Sequence, residues 1–168
     1  NTDGKGFLLM LEGAGITVRG KSVLVLGAGG AGRSTAAALK AAGARVLLYR
    51  RNRRLLKEAC EELGVEAAES VVPCDIFINC TGVGMHESTG QSPVAGEELN
   101  QCLTAVDLIY RPAESEFLRL ARERGKKTLS GGAMLFYQAY FSDCLYLGRK
   151  ECAEEAKALY AEYLQRTQ

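Results

Sequence analysis

The chain has 168 residues, with 21 basic against 20 acidic side chains and a formal net charge of +1. That balance excludes a protein that coats nucleic acid, which needs a broad basic excess. At 47% hydrophobic and 24% charged, the composition is that of one ordinary folded domain with a sizeable core, and a tight fit for two. No apolar stretch approaches the roughly 18 residues of a membrane span. Disorder is excluded as well, because Val, Leu, Ile and Phe are plentiful and no single-charge block is long. Glycine is abundant at 19, and the chain opens on Asn1-Thr2-Asp3, which reads as a piece of something larger.

In chain order, Gly6 to Ala14 is predicted as a helix with Phe7, Met10 and Leu11 on one face, ended near Gly15. Ser22 to Leu26 is a continuous apolar run, the mark of a strand buried on both faces. Ala31 to Ala42 is an alanine-rich helix, Arg45 to Tyr49 a second strand, and Arg54 to Leu63 a second helix stopped by Gly64. A short strand is expected at Val65 to Ala67, and buried strands at Asp75 to Asn79 and Ala105 to Ile109. The Gly90–Gly96 stretch reads as a mobile loop. Phe117 to Arg124 is helical, Thr128-Leu129 starts a last strand, and from Ala133 the pattern is helical nearly to Gln168 with a break around Gly148. Helices alternating with short apolar strands imply an α/β fold, a doubly wound parallel sheet with flanking helices and a C-terminal helical segment. Residues 1–19 are expected as a linking helix, 20–131 as a nucleotide-binding core and 132–168 as C-terminal helices.

The six cysteines (Cys60, Cys74, Cys80, Cys102, Cys144 and Cys152) form no C-x-x-C pair, and the single histidine completes no zinc set. Reduced, structural thiols in a cytoplasmic protein are expected, with no metal.

The sharpest motif is Gly27-Ala28-Gly29-Gly30-Ala31-Gly32. It follows a predicted strand and opens a predicted helix, the context that gives G-x-G-x-x-G its meaning as a Rossmann-type dinucleotide site. Gly27 permits the tight turn, Gly29 lets the backbone approach a pyrophosphate, and Gly32 lets helix and strand pack closely. The helix N-terminus then offers free N–H groups to the phosphates. Without a ligand, the same residues would be only a glycine-rich turn.

The end of the second strand selects the dinucleotide. An NAD site places Asp or Glu there for the ribose 2′-hydroxyl. Here the strand runs into Arg50-Arg51-Asn52-Arg53-Arg54. A guanidinium can grip a 2′-phosphate through two charge-assisted hydrogen bonds, whereas stability alone would not place positive charge at a helix N-terminus. NADP is therefore the expected cofactor.

These motifs together resemble shikimate dehydrogenase. The resemblance runs through Asn1-Thr2-Asp3-Gly4 with Gly6-Phe7, the glycine loop, Asn79-Cys80-Thr81-Gly82-Val83-Gly84-Met85, Asp107 to Pro112, and Gly131 to Leu135 with Gln138. It implies reversible reduction of 3-dehydroshikimate to shikimate with NADPH, in the biosynthesis of chorismate and aromatic amino acids. It also implies a preceding substrate-binding domain, absent here, that carries a catalytic lysine, so this chain alone is expected to be inactive. By the same resemblance Asp3 pairs with that lysine and holds a ring hydroxyl, although taken alone it looks like a helix N-cap. Thr81, Gly82 and Val83 border the ribose and nicotinamide, Leu108 faces the nicotinamide through its backbone, and the Gly131 carbonyl meets the carboxamide with Met134 against the ring. Tyr110 and Gln138 contact the substrate. Arg50, Asn52, Arg111 and Gly132-Ala133 depart from the usual residues.

His86 is expected as an exposed loop residue. Ala153, Ala156, Leu159, Tyr160 and Tyr163 form a packing stripe that leaves a homodimer open. Two other readings stand beside the dehydrogenase: a non-catalytic nucleotide-binding module, and a quinate/shikimate dehydrogenase using NAD.

Overall fold

The computed structural model describes residues 2–166, so Asn1 and the last two positions of the expected C-terminal helix lie outside the described residues. Six strands form one parallel sheet: β1 (Ser22–Leu26), β2 (Arg45–Tyr49), β3 (Glu66–Ala68), β4 (Ile76–Asn79), β5 (Thr104–Asp107) and β6 (Lys127–Ser130). Their spatial order is β3-β2-β1-β4-β5-β6, that of a doubly wound dinucleotide-binding sheet. The chain winds outward from β1 in one direction and then, from β4, in the other. That reversal opens a crevice beyond the carboxyl ends of β1 and β4, where such sheets bind ligands.

The central strands are mostly apolar because both faces of the sheet are covered. Val23, Val25, Val46, Leu48, Ile76, Ile78 and Val106 face one core, under α1 (Thr2–Gly13), α2 (Gly30–Ala41), α3 (Arg53–Leu63) and α5 (Gly132–Tyr146). Leu24, Leu26, Leu47, Phe77 and Ala105 face the other, under α4 (Glu116–Glu123). Val94 and Leu99 join this second core, so the end of the stretch expected as a mobile loop is anchored and leads into a 3-10 turn over Gly96–Gln101. α6 (Ala153–Arg166) returns across α5, burying Ala156 and setting Tyr160 in an aromatic cluster with Phe136 and Tyr137. Leu159 and Tyr163, from the same stripe, stay 40% and 48% exposed. Among the described residues, no helix is long and apolar enough to cross a membrane.

Helix α1 is part of the core. Phe7, Met10 and Leu11 are fully buried, as their spacing predicts. It begins earlier than expected, which puts Asp3 inside its first turn and not at an N-cap. Two glycines let it press against its neighbours. A β-carbon at Gly4 would lie 3.0 Å from the Ala38 Cβ of α2, and one at Gly6 would lie 2.8 Å from the backbone nitrogen of Gln138 and 3.0 Å from the Met134 carbonyl of α5.

Gly6→Ala therefore overpacks a backbone contact by roughly 2–3 kcal/mol, offset by about 1 kcal/mol of helix propensity. A net loss of roughly 1–2 kcal/mol is expected in denaturant unfolding. An unchanged midpoint would mean that the two helices have slack.

Candidate functional site

Every expected cofactor position lies at the carboxyl edge of the sheet or on the helix starts beside it. Backbone hydrogen bonds hold the loops there in register: Gly27 N–H donates to the Tyr49 carbonyl (2.9 Å), Cys80 to Leu26 (2.8 Å), Leu108 to Asn79 (3.0 Å) and Gly131 to Ile109 (3.2 Å). Gly27 has φ +104°, a region that glycine adopts without strain, and a β-carbon there would lie 2.9 Å from the Thr81 methyl. At Gly32 a β-carbon would overlap the Gly27 carbonyl, and at Gly131 it would overlap the carbonyl of Leu108. These three glycines are places where backbone meets neighbouring loops.

Gly29, Gly30 and Gly82 are different. Nothing lies within 4 Å of where their β-carbons would be, so their backbones border open space. Gly29 is the N-cap of α2 and supplies no side-chain cap. The first N–H groups of a helix have no intrahelical partner, so this end is free to receive an anion.

Three cavities that share lining residues follow one another along the sheet edge. The first, about 520 Å³, is lined by Gly27 to Gly29, Tyr49 to Asn52, Cys80 to Val83 and Pro93. The second, about 420 Å³, shares Cys80, Thr81 and Gly82 with it and adds Met85, His86, Leu108, Tyr110 and Arg111. The third, about 190 Å³, shares Ala31, Leu108 and Tyr110 with the second and ends on Asp3, Gly131, Met134, Leu135 and Gln138. Together they form a trench of adjoining cavities from a pair of arginines to a carboxylate.

At the first end, Arg50 and Arg51 line the cavity and form no ion pair among the described residues. Arg53 and Arg54 lie outside the lining and face Glu69 at 3.5 Å and Glu58 at 2.9 Å. Asn52 lines the cavity while its side chain caps α3, accepting from the Leu55 N–H at 3.1 Å. At the far end, the close packing at Gly6 carries Asp3 to the cavity that also holds Tyr110, Met134 and Gln138.

Residues 9–87 match a family described as D-isomer-specific 2-hydroxyacid dehydrogenase, NAD-binding domain. The chain is 36% identical over 182 residues to a shikimate dehydrogenase (NADP(+)) from Methanosarcina acetivorans, covering 98% of this chain and 64% of the relative. It is 41% identical over 150 residues to one from Thermus thermophilus, covering 88% and 56%. Among solved structures, shikimate 5-dehydrogenase from T. thermophilus in complex with NADP(H) and shikimate matches with TM-score 0.83 and 36% identity, over 94% of this chain and 60% of that one. A chorismate mutase/shikimate 5-dehydrogenase fusion protein from Clostridium acetobutylicum matches with TM-score 0.85 and 33% identity, over 98% and 63%. Over nearly its whole length, the chain is similar to part of these shikimate dehydrogenases. It spans 56–64% of the length of these relatives.

Beneath the trench lies a polar arrangement to which the sequence motifs assign no role. Asn79 and Asp107 are register partners at the last positions of β4 and β5, and both are fully buried. Asn79 Nδ2 donates to Asp107 Oδ1 at 3.1 Å, and Ser115 Oγ donates to Asp107 Oδ2 at 2.5 Å. Burial holds the Asp107 carboxyl above the usual aspartate range, opposed by the donors from Ser115, the Ile109 backbone and Asn79. The signal was present in the sequence, since each residue closes an apolar strand with a polar side chain.

His86 and Arg111 line the middle cavity, which sequence reasoning did not foresee; His86 is exposed, as expected, at φ +50°. Burial pushes the Cys80 thiol up to about 12, which keeps it an inert wall of the trench. No group of three or more metal-ligating side chains occurs among the described residues.

Proposed function

We propose that this chain is the NADP-binding domain of a shikimate dehydrogenase that interconverts 3-dehydroshikimate and shikimate. The observation that carries this reading is the row of adjoining cavities, with two arginines that form no ion pair among the described residues at one end, open glycines in the middle, and Asp3, Tyr110 and Gln138 at the other. An extended dinucleotide needs that order of chemistries. The residues fit it: Gly29, Gly30 and Gly82 leave room where a phosphate backbone would approach, and Arg50 stands where an NAD site would carry an acid.

The NAD wording of the matched 2-hydroxyacid family does not alter this assignment, because the selecting position at the end of β2 is basic in this chain.

When bound, the dinucleotide exchanges a hydride between nicotinamide C4 and the C3 carbon of the substrate. Arg51, with Arg50, holds the 2′-phosphate, and the start of α2 holds the pyrophosphate. Gly131 and Leu108 present backbone and Met134 an apolar wall to the nicotinamide. Tyr110 and Gln138 orient the substrate ring. Asp3 accepts a hydrogen bond from a ring hydroxyl and, with the lysine of the family's substrate-binding domain, manages the proton that accompanies hydride transfer.

The test is NADP-dependent shikimate oxidation, assayed with this chain alone and with a family substrate-binding domain supplied. Turnover only in the combination is expected. Turnover by the chain alone would overturn the need for the second domain's lysine, and NAD-only turnover would overturn the cofactor assignment.

A further inference from the structure

We infer that Asn79 and Asp107, backed by Ser115, are positioning residues for the nicotinamide half of the cofactor. This rests on the proposed NADP site and adds residues that do not touch it. None of the three lines any of the cavities along the trench.

Asn79 uses its whole carboxamide. Its Oδ1 accepts from the Thr81 N–H at 2.9 Å and the Thr81 hydroxyl at 2.6 Å, while its Nδ2 donates to the Val83 carbonyl at 3.2 Å and to Asp107. Two donors and two acceptor sites are all that such a group has. The Thr81 hydroxyl is also spoken for, since it accepts from the Val83 N–H at 3.1 Å. The loop 81–83 is thereby tied to one side chain beneath it.

Asp107 does the same for the next loop. Its Oδ1 also accepts from the Ile109 N–H at 2.9 Å, and Ser115 links it to the start of α4 by accepting from the Leu118 N–H at 3.3 Å. The two loops fixed this way carry Thr81, Gly82 and Val83, which line the first cavity on the side away from β2, and Leu108 and Tyr110, which line the middle and far cavities. The phosphate loop and the arginines follow β1 and β2 instead, and among the described residues they make no hydrogen bond to the Asn79, Asp107 or Ser115 side chains.

A buried carboxylate adds little net stability compared with apolar residues of the same volume. What it adds is direction: once fully bonded, such a network admits a single arrangement. The lining it holds is the one that would meet the ribose and nicotinamide.

The experiment compares two ligands by calorimetry on this chain: NADP+ and adenosine 2′,5′-bisphosphate, which carries only the adenosine half. In Asn79→Ala, NADP+ affinity is expected to fall about fivefold or more while bisphosphate affinity stays within about twofold. A network that merely stabilised the fold would weaken both ligands or neither, and either result overturns the inference. Equal affinity of the unaltered chain for the two ligands overturns it too, because the nicotinamide half would then have no grip to lose. If Asn79→Ala does not fold, Ser115→Ala is judged by the same split. Failure of the unaltered chain to bind either ligand overturns the proposed function, and the inference with it.

Discussion

Gly32→Ala is expected to lower the melting temperature by roughly 6–12 °C, while Gly29→Ala, three residues earlier in the same motif, leaves it within about 2 °C and abolishes tight NADP+ binding. The two glycines face different neighbours. A methyl at Gly32 would overlap the Gly27 carbonyl, a backbone atom fixed by β1 and by the loop after β4, so the strain has nowhere to relax. Overpacking of that kind costs roughly 3 kcal/mol or more. At Gly29 the backbone is extended, at φ −77° and ψ −171°, and a methyl meets nothing within 4 Å. Alanine fits that conformation, and the roughly 0.5–1 kcal/mol it loses as an N-cap is offset by a similar gain from a less flexible unfolded chain. Its methyl instead occupies the space that a pyrophosphate needs, and a drop in NADP+ affinity of about tenfold or more follows. Thermal denaturation and calorimetry on both variants check the division. Matching losses of stability in the two would refute it, as would NADP+ binding by Gly29→Ala at the original strength.

Arg51→Ala is expected to weaken NADP+ by about 10- to 150-fold, the value of one or two charge-assisted hydrogen bonds, and NAD+ by less than about threefold. Arg50 and Arg51 are the two of the four clustered arginines that line the cavity and carry no carboxylate partner among the described residues. Arg53 and Arg54 face Glu69 and Glu58. Those exposed pairs are worth little in stability, yet they occupy guanidinium groups that a phosphate would otherwise recruit. Arg54→Ala is thus the matched control, with NADP+ affinity expected to stay within about twofold. Titrations of both nucleotides into the three proteins decide the matter. A preference for NAD+ in the unaltered chain, or an equal fall for both nucleotides in Arg51→Ala, would remove the 2′-phosphate from this end of the trench. Because Arg51 is exposed and Arg50 only half-buried, the NADP+ preference should also shrink as salt rises.

Much of the site was legible because its chemistry is local in sequence. The phosphate loop needs a strand, three glycines and a helix within a dozen or so residues, and buried parallel strands announce themselves as apolar runs. Both β1 and β2 therefore fall on the predicted residues. The basic end of β2 was legible for the same reason. The far end of the trench was not. Asp3 and Gln138 stand near opposite ends of the chain, and read alone Asp3 looks like a helix cap. Only the resemblance to a family joined them.

By itself, the sequence determined the fold class, the glycine loop and the positive charge beside it, since each depends on neighbours along the chain. The tertiary structure decided which of those elements act together. Close backbone contact at Gly6 brings Asp3 to Gln138, ion pairing separates Arg53 and Arg54 from the lining arginines, and a buried carboxylate ties the β4 and β5 loops together. The physical reason is common to all three. Packing distance, charge pairing and hydrogen-bond satisfaction depend on which side chains meet in space, and adjacency along the chain does not fix that.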